Sequence, residues 1–73
     1  MKRETITTGT EISSLEGKLV ITGYNGHIVY VDEYTLLDEG EYKFNTKRML
    51  TLNEIAHEMK EVDGLNYKVI WED

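Results

Sequence analysis

The run from Leu50 to Trp71 constrains this chain more than any other part of it. Thr51-Leu52-Asn53-Glu54 is a capping box: the Thr51 hydroxyl can accept from the Glu54 N–H while the Glu54 carboxylate reaches back to the Thr51 N–H. Leu50 and Ile55 flank the cap at the spacing of a hydrophobic staple. Leu52, Ile55, Ala56, Met59 and Val62 then form one apolar stripe at helical spacing, with Asn53, Glu54, His57, Glu58, Lys60 and Glu61 on the other faces. Gly64 stands where a helix ending at Asp63 needs a left-handed residue. Beyond it Leu65, Tyr67, Val69 and Trp71 alternate with Asn66, Lys68, Ile70 and Glu72, which predicts a strand with one apolar face. A helix over 51–63, a glycine stop and a strand follow.

A second unit lies between Lys18 and Asp32. The β-rich runs Lys18–Gly23 and His27–Asp32 are joined across Asn25-Gly26, the favoured pair of a two-residue type I′ hairpin turn. That turn would set Tyr24 opposite His27, Thr22 opposite Val29, Ile21 opposite Tyr30 and Val20 opposite Val31. One face would carry Val20, Thr22, Val29 and Val31, and the other Leu19, Ile21, Ile28 and Tyr30. One helix covers one face, so the second apolar face must meet the N-terminal segment, a loop or another molecule.

The remaining segments are plainer. Lys2–Thr8 is β-prone and reads as an edge-like strand ended by Gly9. Thr10–Gly17 fits either a single helical turn capped at Ser13 or an irregular connection. Asp38-Glu39-Gly40 reads as a turn, Tyr42–Phe44 as a short strand, and Thr46–Met49 as a connection to the helix. The expected fold class is therefore α+β over a single domain, 1–73. It is a small antiparallel sheet of four or five strands with one amphipathic helix (51–63) on one face, in the order β-(turn)-β-β-β-α-β.

Chemistry is hard to place on this chain. There is no cysteine, hence no thiolate nucleophile or cysteine metal site, and the two serines Ser13 and Ser14 have no base nearby in sequence. His57 shares a helix face with Glu54 and Glu61, but His27 is the only other imidazole, and a solvated helix face is the ordinary reading. No nucleophile–base–orienter set and no phosphate loop is legible, so no catalytic residue, metal site or cofactor is assigned and no enzyme is expected. With 14 acidic against 8 basic residues, the formal charge of −6 argues against direct binding to nucleic-acid backbone. Nothing in the sequence approaches a membrane span or a secretory leader, which points to a cytoplasmic protein without membrane contact.

Function is expected to lie in binding another protein. The stretch from Tyr24 to Tyr42 carries tyrosines beside carboxylates, a composition suited to a protein-binding patch. The candidate partner-binding residues are Tyr24, Asp32, Glu33, Tyr34, Asp38, Glu39, Glu41 and Tyr42. The expected partner presents a basic surface, which this chain would occlude. Size and acidity are those of inhibitors encoded by phages or mobile elements that imitate nucleic-acid charge, an analogy of charge and size alone. The alternative is a self-associating structural domain, as a homodimer, or a small subunit of a larger complex, using the surplus apolar hairpin face.

Overall fold

The computed structural model describes residues 1–73. It is a small α+β fold built from a four-stranded antiparallel sheet, a two-stranded parallel sheet and one helix. The strands are β1 (Lys2–Ile6), β2 (Glu11–Ser13), β3 (Gly17–Tyr24), β4 (Val29–Leu36), β5 (Tyr42–Leu50) and β6 (Tyr67–Trp71), with α1 (Leu52–Asp63) between the last two. Strands β2-β3-β4-β5 form a meander in chain order, while β1 and β6 pair in parallel.

The helix has the predicted ends. Thr51 Oγ1 accepts from the Glu54 N–H at 3.1 Å and the Thr51 N–H donates to Glu54 Oε1 at 3.0 Å. Gly64 closes α1 in the left-handed region, φ 77°, and its N–H donates to the Lys60 carbonyl. Of the apolar stripe, Ile55 is fully buried, Leu52, Ala56 and Met59 pack at the edge of the core, and Val62 lies largely exposed.

The core is one cluster of Ile6, Leu19, Ile21, Val29, Val31, Leu50, Ile55 and Val69. It draws on β1, β3, β4, β5, α1 and β6, so the parallel ribbon and the meander share one interior. Leu50 and Ile55 are both buried, as the staple requires. Tyr24 stacks on Trp71 with ring centroids 5.0 Å apart, tying the end of β3 to the end of β6.

The β3–β4 hairpin departs from the expected register. No non-glycine residue has positive φ, so Asn25 does not adopt the conformation that type I′ demands. The connection is instead a four-residue loop, Asn25–Ile28, in which Asn25 Oδ1 accepts from the His27 and Ile28 N–H groups. Tyr24 pairs with Val29 and Gly23 with Tyr30, and a bulge at Thr22 then sets Ile21 opposite Val31. The bulge changes which residues share a face. Leu19, Ile21, Val29 and Val31 all turn inward, whereas Val20, Thr22 and Tyr30 turn outward with Asp32.

Two further segments differ from expectation. Glu11–Ser13, within the ambiguous connection, is a short strand on the edge of β3. Lys43–Arg48 is continuous strand, so β5 runs nine residues where a three-residue strand and a connection were expected. Asp38-Glu39-Gly40 does form the turn between β4 and β5, with the Gly40 N–H on the Leu37 carbonyl and the Leu37 N–H on the Glu41 carbonyl.

Candidate functional site: the outer face of the meander

The helix and the parallel ribbon bury one face of the meander and leave the other open. On the open face β3 presents Lys18, Val20 and Thr22, β4 presents Tyr30, Asp32, Tyr34 and Leu36, and β5 presents Tyr42, Phe44, Lys47 and Met49. The exposures of Tyr42 (43%), Phe44 (48%) and Met49 (69%) are those of side chains with no layer above them.

Cross-strand pairing organises this face. Tyr34 and Phe44 are register partners and meet edge to face, with centroids 5.8 Å apart. Lys18 on β3 reaches over the Tyr42 ring at 4.3 Å and lies 5.9 Å from the Tyr34 ring centre. Its ammonium is also 2.7 Å from Glu11 Oε1 on β2. The hydrogen bond that Lys18 donates to Glu11 is the first cause holding its pKa above the ordinary lysine range; burial opposes it, and Glu11, Tyr42 and Tyr34 add to it coulombically. Lys47 sits 3.1 Å from Asp32, its register partner, and 5.9 Å from the centre of the Phe44 ring. Three rings and two lysines thus form a continuous strip across β3, β4 and β5.

The opposite side of the sheet, beyond the core, is a groove of about 1130 Å³ between α1, the β2–β3 connection and parts of β3, β4 and β5. Arg48 stands in it as a bridge, with Nη1 3.1 Å from Glu33 and Nη2 3.2 Å from Glu58. This links the sheet to the helix through two charge-assisted hydrogen bonds. His57 and Glu61 lie on the same wall, 3.7 Å apart and both well exposed. No three His, Asp or Glu side chains gather in a geometry able to hold a metal ion.

The candidate residues fall into three places. Tyr34 and Tyr42 lie on the open face, with Asp32 beside them. Asp38, Glu39 and Glu41 cluster at the β4–β5 hairpin tip, all exposed. Tyr24 is packed against the core and Trp71, and Glu33 points to the groove side, where Arg48 and Asn45 bind it. Asp32 and Glu33 are each paired with a β5 cation and face opposite sides of the sheet, so the five carboxylates make no single row. Tyr30, Phe44, Met49 and the cations Lys18 and Lys47 belong to the face and were not among the candidates. The signal that would have found Phe44, Lys47 and Met49 is the alternation Tyr42-x-Phe44, resumed at Lys47-x-Met49 after a bulge at Asn45.

No helix in the chain is long and apolar enough to cross a membrane. Comparisons with protein-family models, with curated proteins and with solved structures give no match, so the geometry alone carries the functional argument.

Proposed function

We propose that this is a binding protein that acts by covering a surface of a partner protein, and that it does so with the open face of the meander. The observation that carries the reading is the row of exposed Tyr42, Phe44 and Met49, flanked by Tyr30 and Tyr34, on a sheet face that no other element covers. Exposed aromatic and methionine side chains grouped on one sheet face are the composition of an interface centre. Tyr34 and Phe44 meet edge to face, and Lys18 and Lys47 lie over the Tyr42 and Phe44 rings, contacts that would lower the ordering cost of binding. The acidic hairpin tip of Asp38, Glu39 and Glu41 adjoins the face and would supply a charged rim that steers a basic partner surface.

The test is a matched pair of variants. Tyr42→Ser combined with Phe44→Ser removes the two rings from the face; Leu15→Ser changes an apolar residue that is 96% exposed and lies elsewhere, in the β2–β3 connection. A partner crosslinked to the wild-type chain in its cells of origin should be lost by the double variant and kept by Leu15→Ser. Truncating two ring contacts at the centre of an interface costs about 2 kcal/mol or more, at least a thirtyfold loss of affinity. Equal recovery by both variants sinks the reading. Sedimentation of the wild-type chain alone separates it from self-association, because a dimer that the double variant dissolves would make a second copy the occupant.

A further inference from the structure

β5 is the last strand of the meander, and its free side is open. Residues 42–47 are all exposed, and beyond β4 no strand pairs with it. The ladder alternation says which backbone groups this leaves unpaired. The Leu36 N–H donates to the Glu16 carbonyl on the β3 side and the Leu37 N–H to the Glu41 carbonyl on the β5 side. Odd-numbered residues of β4 therefore bond to β5, and their partners are Lys43, Thr46, Arg48 and Leu50. Tyr42, Phe44, Lys47 and Met49 turn their N–H and C=O groups away from the sheet. No other main-chain group meets them, and the only side-chain contact is the neighbouring Thr46 hydroxyl on the Lys47 carbonyl.

The charge of this edge is opposite to that of the molecule. β5 holds Lys43, Lys47 and Arg48 and no acid, in a chain of formal charge −6. Its one observed neighbour shows what suits it. β4 brings Asp32 opposite Lys47 and Glu33 onto Arg48, with Tyr34 on Phe44 next along the ladder. Lys47 uses one donor on Asp32 and remains 79% exposed in its side chain, and no ion pair engages Lys43. A second copy is a poor occupant. Antiparallel registers that overlap the exposed run, centred at or just after Asn45, set Lys43 opposite Lys47 or Arg48 of the other copy. Like charges directly opposed on a ladder are destabilising.

We propose that β5 takes an extended acidic segment of a partner protein as a fifth strand of the meander. Main-chain bonds to Tyr42, Phe44, Lys47 and Met49 supply affinity, and carboxylates beside Lys43 and Lys47 supply selectivity. The proposal rests on the binding-protein reading and deepens it, because the added strand would extend the same aromatic face.

The probe is a synthetic peptide with the β4 sequence of residues 29–36, titrated into the isotopically labelled full chain. The expected result is slowed exchange of the Tyr42, Phe44, Lys47 and Met49 amides with α1 unchanged. A peptide carrying lysine at both acidic positions should bind about tenfold more weakly. One N-methylated at alternate residues, with side chains and charge intact, should not bind. Strand addition is overturned by equal binding of the N-methylated or lysine peptide, by protection on β3 instead (the peptide then replaces β4), or by no binding. Shifts confined to the Tyr34 and Phe44 rings also overturn it, yet leave docking on the open face standing. The Tyr42→Ser, Phe44→Ser capture experiment judges that face independently.

Discussion

Gly17 shows how much a single atom can decide in this fold. A Cβ built there would lie 2.0 Å from the Tyr34 carbonyl oxygen, a main-chain atom of the neighbouring strand that has no rotamer to yield. Gly17→Ala should therefore destabilise by about 2 kcal/mol or more, read as a lower urea midpoint with unchanged slope. Nothing in the sequence around Gly17 distinguishes it from an ordinary loop glycine, because its constraint comes from a residue 17 positions away. The Asp63–Tyr67 pair makes a second prediction. The Tyr67 hydroxyl, first, and the Leu65 N–H, second, hold the Asp63 carboxyl below the usual range, and the same bond to Asp63 raises the Tyr67 phenol. A depressed carboxyl pKa contributes stability that is present above about pH 4 and lost as pH falls through the folded value. A raised phenol pKa contributes stability that is present below about pH 10 and lost as pH rises beyond it, and the raised Lys18 pKa works in the same alkaline direction. Melting temperatures of wild type and Asp63→Asn should converge as pH drops from 6 toward 3. A gap that stays constant across that range would remove Asp63 from the account.

Among the elements, the helix was legible and the hairpins only partly so. α1 is specified by contacts within a few residues: the Thr51–Glu54 box, the stripe from Leu52 to Met59 and the Gly64 stop all appear where spacing puts them. Thr51→Ala should cost about 1 kcal/mol, checked by chemical denaturation, because it removes the acceptor for the Glu54 N–H and half of the reciprocal pair. The β3–β4 hairpin was harder because Asn25-Gly26 favours a tight turn locally. The structure instead buries Leu19, Ile21, Val29 and Val31 together, which the tight turn's register would have split between two faces. The Thr22 bulge resolves that conflict: one extra residue returns Ile21 and Val31 to the same side. β5 was hidden for a similar reason. Its alternation breaks at Asn45, where a second bulge lies, and Lys47-Arg48 reads as a loop until Asp32 and Glu33 are seen beside it. The open aromatic face inherits that ambiguity, since it exists only once both bulges are placed.

At the scale of the whole molecule, the parallel pairing of β1 with β6 joins the two ends of the chain, a contact no local pattern encodes. It makes the ribbon part of the same cooperative unit as the meander. Ile6 and Val69 from the ribbon, Ile21 and Val31 from the meander, and Ile55 from α1 all belong to one cluster of eight buried residues. A domain of this length has total stability of about 4–11 kcal/mol, so each of those side chains is a large share of it. Ile55 is the point where helix and sheets meet and is 0% exposed. Ile55→Ala deletes methyl groups from a site walled by main-chain-fixed strands, where collapse is limited, and should cost about 3 kcal/mol. For a domain this small that lowers the melting temperature by about 12–24 °C. The loss should appear as one transition seen alike by far-ultraviolet dichroism and by the fluorescence of Trp71, which stacks on Tyr24 across the junction of ribbon and meander. Separate transitions in the two signals would mean that the ribbon and the meander unfold independently, and the single shared core would be the wrong description of what supports the open face.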